Sequence, residues 1–98
     1  MYIIKQTEVF TKWLRKLRDL RARIAIARRI ERAQKGNLGD HRSVGKNLLE
    51  MRLTIGPGYR IYYTLHSNDL IILLVGGDKS TQQQDINRAK ELKKEYLT

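Results

Sequence analysis

Cysteine is absent from this 98-residue chain, and histidine occurs only twice. Without cysteine, neither a disulfide framework nor a thiolate metal site can form. Two histidines argue against a structural zinc site and against a histidine-based metal centre. We therefore predict a protein that uses no metal and no cofactor, and a cysteine-free chain suits the reducing cytoplasm.

Long apolar runs are also missing. The longest, from Leu70 to Val75, is too short to cross a bilayer. The first residues, MYIIKQTEVF, contain a very short apolar run without a basic lead-in, so we expect no signal peptide. The length suits a single domain, residues 1–98, with a core large enough to fold without disulfides or a structural metal.

Acidic residues are few beside the basic ones. Ten Asp and Glu stand against 20 Lys and Arg, which gives a net charge of +10. A charge of this size favours a polyanionic partner such as nucleic acid, an anionic membrane or an acidic protein. The alternative is a solvated basic surface without a partner.

Most of the positive excess lies between residues 12 and 35. This stretch holds ten basic residues against Asp19 and Glu31, a net charge of +8. Such a concentration favours salt-sensitive attraction to a nucleic acid backbone. For any single arginine here, a charged outer face that keeps the helices soluble is the better interpretation. Our candidates for RNA contacts in this stretch are Arg15, Arg18, Arg21 and Arg23.

The first half of the chain has the pattern of a short strand followed by two helices. A strand is expected from Tyr2 to Gln6, and a helix from Glu8 with an apolar stripe at three- and four-residue steps. A second helix is expected from about Leu20 to Lys35, where Gly36 ends it in the left-handed conformation. These two helices predict an α-hairpin that lies on a sheet.

A glycine-rich stretch from Gly36 to Lys46 follows, which we interpret as a connector. Its glycines have the wrong spacing for a Walker loop or a dinucleotide-binding fingerprint. His41 lies within it, and a histidine in a flexible loop is more often an exposed bystander than a catalyst.

Asn47 to Leu65 has the pattern of a β-hairpin around the turn Gly56-Pro57-Gly58. Apolar and polar residues alternate along both arms, so each arm has one apolar and one polar face. If the apolar faces share a core, four polar side chains lie together on the opposite surface: Glu50, Arg52, Arg60 and Tyr62. We predict that this face is open and suited to phosphate chemistry. The alternative is a cross-strand ion pair that only supports the sheet.

The apolar run from Leu70 to Val75 predicts a strand inside the sheet that is covered on both faces. We expect Gly76 and Gly77 to let the backbone turn sharply, so that Lys79 lies at the rim of the sheet near the polar hairpin face. Thr81 and Gln84 fit a capping box that begins a last amphipathic helix. The order β-α-α-β-β-β-α predicts an α+β domain, with an antiparallel meander sheet, an N-terminal helical hairpin and a C-terminal helix.

Four segments together resemble one known family: GNLGD, the E-x-R of the first hairpin arm, GPGYR-x-Y and GGDKSTQ. They resemble the HigB-like "addiction module killer" branch of the RelE/ParE toxin superfamily, over nearly the whole chain. The resemblance implies a RelE-like fold and a toxin that a separately encoded antitoxin neutralises. Most RelE-like members cut mRNA in the ribosomal A site, which implies mRNA and the ribosome as partners. ParE-like members inhibit DNA gyrase instead.

The resemblance also implies roles for single residues. Arg60 matches the arginine that handles the scissile phosphate, Lys79 falls near a basic residue that contacts it, and Glu50 resembles a carboxylate that some relatives use as general base. We take these three as catalytic candidates. Arg52 matches a neighbouring basic strand position, and we expect it and Tyr62 to contact RNA. Many relatives carry a C-terminal Tyr or His where this chain has Gln83-Gln84-Asp85, so no general acid is identified.

RNA supplies its own nucleophile, the 2′-hydroxyl. A nuclease therefore has to remove that proton, stabilise the charge on the phosphorane and protonate the 5′-oxygen. We predict a metal-independent, ribosome-dependent endoribonuclease, with a ParE-like gyrase inhibitor and a plain basic RNA-binding module as alternatives. The nuclease hypothesis requires that Glu50 and Arg60 share one side of the sheet and are not sealed beneath the protein's own helices.

Overall fold

A computed structural model describes residues 1–97, which form one mixed sheet with helices on both of its faces. In chain order the elements are β1 (Ile3–Gln6), α1 (Glu8–Lys16), α2 (Leu20–Gln34), β2 (His41–Gly45), β3 (Leu48–Leu53), β4 (Tyr59–His66), β5 (Leu70–Asp78), a 3₁₀ turn (Lys79–Thr81) and α3 (Gln82–Leu97). The α+β class is confirmed, but the element order contains one strand more than the sequence predicted.

The sheet has the strand order β1-β5-β4-β3-β2. β1 pairs with β5 in parallel, and the other three pairings are antiparallel. The predicted meander of β3, β4 and β5 is therefore confirmed. β5 lies inside the sheet between β1 and β4, as its apolar residues on both faces predicted.

β2 is the additional strand, and it lies within the stretch that we interpreted as a connector. Its first three residues, His41 to Ser43, are polar and exposed, and Val44 packs against the core. An edge strand of this kind buries little, so it lacks the apolar alternation by which strands are recognised. Its backbone pairing with β3 brings Arg42 opposite Glu50, which a loop would not have done.

The two helical layers bury different sets of strand residues. α1 and α2 cover one face, where Phe10 and Ile26 pack with Met51, Ile61 and Leu73 of the strands. α3 covers the other face, where Ile86, Ala89 and Leu92 pack against a second set of strand residues: Leu48, Tyr62, Ile72, Leu74 and Val75. None of the helices in the described part of the chain is both long enough and apolar enough to span a membrane.

The ends of the first two helices follow the sequence signals. Thr7 caps α1 by accepting a hydrogen bond from the Phe10 amide, and Gly36 at φ +100° ends α2 in the left-handed conformation. The capping box expected at Thr81 is wrong. Asp78 accepts a hydrogen bond from the Ser80 amide at the start of the 3₁₀ turn, and the Thr81 hydroxyl donates to Asp85 instead.

Gly76 and Gly77 do not form the sharp turn that we expected, because β5 continues through both residues to Asp78. Their lack of a side chain serves packing instead. A Cβ at Gly76 would overlap the Trp13 ring on one face of the sheet, and a Cβ at Gly77 would overlap Asp85 Oδ2 on the other. The two glycines therefore let α1 and α3 approach the end of β5 from opposite sides.

Candidate functional site

The polar residues of the β3–β4 hairpin lie on one face of the sheet. In the antiparallel register Glu50 is opposite Tyr62, and Arg52 is opposite Arg60. Residues directly opposite each other in such a pair direct their side chains to the same side. The first requirement of the nuclease hypothesis, that Glu50 and Arg60 share one side, is therefore met.

The expectation that this face is open is wrong at its centre. Glu50 and Tyr62 are both 0% exposed, because α3 packs on this side of the sheet. The sequence showed that α3 has an apolar stripe, but a stripe does not tell which sheet face it covers. Glu50 thus fails the second requirement, which rules out the catalytic role that we expected for it, whereas Arg60 at the margin of the polar face is left partly exposed.

The Glu50 carboxylate is held on both of its oxygens. Arg42 Nε donates to Oε1 at 2.9 Å, and Gln82 Nε2 donates to Oε2 at 2.8 Å. Arg60 Nε lies 3.9 Å from Oε1. A buried carboxylate needs such partners to remain charged. In this arrangement Glu50 orients the cations around it and has no contact with solvent.

Arg60 lies at the margin of the polar face, with a side chain that is 12% exposed. Its Nη1 donates to the carbonyl oxygens of Gly58 and Tyr59, both at 3.1 Å. These bonds turn the guanidinium towards the β3–β4 turn. Arg60 Nε is buried without a hydrogen-bond partner, so the guanidinium keeps an unused donor next to Glu50.

Lys79 is exposed at the end of β5, as predicted, and it lies near Arg60. Both side chains flank Gly58, whose φ is +83°. A Cβ at Gly58 would be 3.4 Å from Arg60 Nη1 and 3.6 Å from Lys79 Cβ. The fold therefore brings the Arg60 guanidinium of β4 and the base of the Lys79 side chain, at the start of the 3₁₀ turn, to the same glycine of the hairpin turn.

Tyr62 is not available for the RNA contact that we expected. Burial, and after it the nearby charge of Glu50, raises the pKa of the Tyr62 phenol above its ordinary value. The phenol therefore stays protonated over the physiological range, and α3 prevents a nucleobase from stacking on its ring.

Arg52 is half-buried, and its Nη2 donates to Asp40 Oδ1 at 3.0 Å. Beside it a groove of about 520 Å³ lies between α2 and the end of β3. Four arginines contribute to its lining: Arg28, Arg29, Arg32 and Arg52. Arg29 is largely committed to the fold, because its guanidinium donates to the carbonyl oxygens of Leu38, Asp40 and Arg52.

The four arginines proposed from the basic stretch are exposed, but they do not join Glu50 and Arg60. Arg15, Arg18, Arg21 and Arg23 belong to α1, α2 and the turn between them, on the opposite face of the sheet. That turn does lie at the same end of the sheet as Lys79. Burial is the main cause that raises the pKa of Tyr59. The charges of Asp19, in the turn, and of Asp78, next to Lys79, add to the rise, so both carboxylates lie near Tyr59.

Three residues near the site were missed. Arg42 was hidden because β2 was not recognised as a strand, and Gln82 and Asp85 because the position of α3 was unknown. The one signal in the sequence for the position of α3 was the pair of glycines at 76 and 77, which indicates a close approach by another element.

His41 is exposed, and its Nδ1 forms a hydrogen bond with the Gly39 carbonyl. Across the described residues no group of three or more His, Asp and Glu side chains is placed to hold a metal ion.

The fold is that of the RelE toxins. The isolated toxin RelE of Escherichia coli superposes with a TM-score of 0.68 at 15% identity, over 90% of this chain and 98% of that one. A chain of the intact E. coli RelBE toxin-antitoxin complex gives a TM-score of 0.66 at 16% identity, over 80% of this chain and 96% of that one. At this identity the likeness concerns the architecture.

Two comparisons of sequence are closer. An uncharacterized protein of Haemophilus influenzae is 50% identical over 92 residues, which are 94% of this chain and 93% of that protein. The family described as "Phage derived protein Gp49-like" matches residues 12–94, from the middle of α1 almost to the end of α3. Because that match includes nearly every element of the fold, the chain belongs to the Gp49-like family.

Proposed function

We propose that this protein is the toxin of a type II toxin–antitoxin pair, on the HigB-like branch, and that it cuts mRNA on the ribosome. The proposal is supported by the RelE fold, by the four motifs of the sequence and by the net charge of +10. A separately encoded antitoxin would then be its protein partner. E. coli RelE has such a partner in the intact RelBE toxin-antitoxin complex.

The observation that carries the proposal is the pair of cations at Gly58. A scissile phosphate between Arg60 and Lys79 would receive positive charge from two side chains, which stabilises the negative charge of a pentacovalent phosphorane. Arg60 has one guanidinium nitrogen, Nη2, left for a phosphate oxygen, because Nη1 donates to two backbone carbonyls and Nε is buried beside Glu50. Lys79 is exposed, so its ammonium group can also give a proton to the 5′-oxygen that leaves.

The role of Glu50 changes under this proposal. A base must reach the proton that it removes, and Glu50 is fully buried with both oxygens engaged. We assign it a positioning role instead, in which it holds Arg42 and Arg60 at the margin of the site. It could act as a base only if the Gln82 contact opened.

Few acid–base groups remain accessible, so the ribosome would have to position the substrate. We expect slow cleavage of naked RNA and rapid cleavage of mRNA on translating ribosomes. Rapid, specific cutting of free RNA without ribosomes contradicts this.

The test is to induce the chain in cells and to map mRNA 5′ ends. Wild type should produce new ends within codons, and Arg60→Ala or Lys79→Ala should lower their frequency by about 10²–10³. Arg88→Ala is the matched control, because it removes one exposed arginine of α3 and should leave cleavage unchanged. Intact mRNA after wild-type induction overturns the proposal.

A second candidate is a ParE-like inhibitor of gyrase without chemistry of its own. The burial of Glu50 and Tyr62 favours it, because a binding surface does not need either group to be accessible. DNA damage in the same cells, with intact mRNA, would select this candidate.

A further inference from the structure

Asp85 is a carboxyl group at the candidate site to which the proposed chemistry gives no role. It lies in the first turn of α3 and is only partly buried. Its Oδ2 accepts a hydrogen bond from the Thr81 hydroxyl at 2.6 Å. That bond uses one oxygen, whereas both oxygens of Glu50 are engaged.

The carboxyl group occupies the space above Gly77. A Cβ at that glycine would overlap Asp85 Oδ2 and would lie 3.2 Å from Thr81 Oγ1. Gly77 is paired with Arg60 on the neighbouring strand. The missing side chain therefore admits a carboxylate to the strand position next to the arginine that we expect to hold the phosphate.

The groups around Asp85 come from every element that meets there. The charged and titratable ones are Glu50 on β3, Arg60 and Tyr62 on β4, and Asp78 at the end of β5. Lys79 follows Asp78 directly in the 3₁₀ turn. Asp85 is close enough to Tyr62 that its charge, after burial and the charge of Glu50, adds to the raised pKa of that phenol. The carboxylate thus lies between the buried centre of the polar face and its cationic margin.

We propose that Asp85 is the general base of the RNA cleavage, in place of Glu50. The inference rests on the proposed nuclease function. Asp85 takes the proton of the 2′-hydroxyl, the 2′-oxygen forms a bond to phosphorus, and the bond from phosphorus to the 5′-oxygen breaks. Lys79 gives a proton to that leaving oxygen. The products are a 2′,3′-cyclic phosphate and a 5′-hydroxyl, and solvent returns both side chains to their starting charge.

The environment of Asp85 suits a base. Burial is the main cause that raises the pKa of this carboxyl above its ordinary value. The hydrogen bond from Thr81 lowers the pKa, and the neighbouring charge of Asp78 raises it. A carboxylate with a raised pKa accepts a proton more readily than an exposed one.

The first experiment measures single-turnover cleavage of mRNA on programmed ribosomes. Asp85→Asn keeps an oxygen that accepts the Thr81 bond, so the fold should persist, and the rate should fall by about 10²–10⁴. Asp85→Glu should retain part of the activity. Cleavage by Asp85→Asn at the wild-type rate overturns the role of Asp85 and leaves the nuclease function standing. Wild type that leaves mRNA intact overturns the nuclease function, and this role with it.

The second experiment separates chemistry from a structural role through the pH profile. The wild-type rate should fall at acid pH, where Asp85 becomes protonated. Thr81→Val removes the bond that lowers the pKa, so the midpoint of that fall should move to higher pH. Asp78→Asn removes the charge that raises it, so the midpoint should move to lower pH. If both variants change the rate but the midpoint does not move in these opposite directions, the assignment of Asp85 as the base is overturned.

Discussion

Glu50 is a fully buried acidic residue at the centre of the polar hairpin face. Its carboxylate is buried between Arg42, Gln82 and Arg60, and no apolar group could satisfy these donors. Removing one member of a buried ion pair leaves the others without a counter-charge, which is more costly than losing an exposed pair. The side chain of Arg42 is 51% exposed, so water can compensate part of this loss.

We therefore predict that Glu50→Ala lowers the free energy of unfolding by about 3 kcal/mol. Glu50→Gln should cost less, because its amide oxygen still accepts one of the two hydrogen bonds. Urea denaturation at neutral pH measures both. The control is Glu91→Ala, which removes an exposed partner of Arg88 and should cost no more than about 1 kcal/mol. Equal losses at positions 50 and 91 would show that the buried network contributes nothing special.

Tyr63 makes a second prediction at this scale. Burial is the main cause that raises its pKa to about 12, while the Arg29 charge opposes the rise. A tyrosine whose folded pKa exceeds its unfolded value near 10 stabilises the fold only while it is protonated. The free energy of unfolding should therefore fall as the pH rises from about 10 to about 12.

The variant that tests this is Tyr63→Phe, because the hydroxyl of Tyr63 is buried without a hydrogen-bond partner. The variant should be at least as stable as wild type at pH 7 and should lose stability less steeply in alkali. Urea titrations between pH 9 and 11.5 provide the comparison. An unchanged alkaline slope would mean that Tyr63 does not carry the effect.

At the scale of the elements, the glycines at the end of β5 decide how close the helices come. Gly76 faces the Trp13 ring, and an added methyl group there would overlap it. We predict that Gly76→Ala destabilises the protein by about 1–3 kcal/mol, the usual cost of overpacking a filled core. Gly45→Ala in β2 is the matched control, because its Cβ would meet neighbours at 3.4 Å or more. A Gly76→Ala protein as stable as the Gly45→Ala protein would contradict tight packing of α1 here.

These elements also show what could be predicted from the sequence. The alternation along β3 and β4 correctly placed Glu50, Arg52, Arg60 and Tyr62 on one face, because period two is a local property of a strand. It could not show that α3 covers Glu50 and Tyr62. The apolar stripe of α3 requires some partner surface, but the choice between the two sheet faces depends on contacts distant in sequence. β2 was missed because a polar edge strand has almost no buried side.

At the scale of the whole molecule, the net charge of +10 is divided between two sides of the sheet. Arg60 and Lys79 lie on the α3 side, whereas the arginines of α1 and α2 lie on the other. The turn between α1 and α2 connects the two, because Asp19 and Asp78 both act on Tyr59 at the same end of the sheet. An RNA strand that passes Lys79 can therefore continue towards Arg18 and Arg21 at that end.

We predict that Arg18→Ala/Arg21→Ala weakens RNA binding and makes it less sensitive to salt. A 2′-O-methyl oligoribonucleotide is the probe, because it lacks the attacking hydroxyl and stays intact during the measurement. Each phosphate contact that is lost should reduce the slope of log K against log salt by about 0.7. Lys90→Ala/Lys94→Ala removes the same charge from the exposed surface of α3. If both double variants change the slope equally, binding depends only on the net charge of the protein, and the α1–α2 turn is not part of the RNA path.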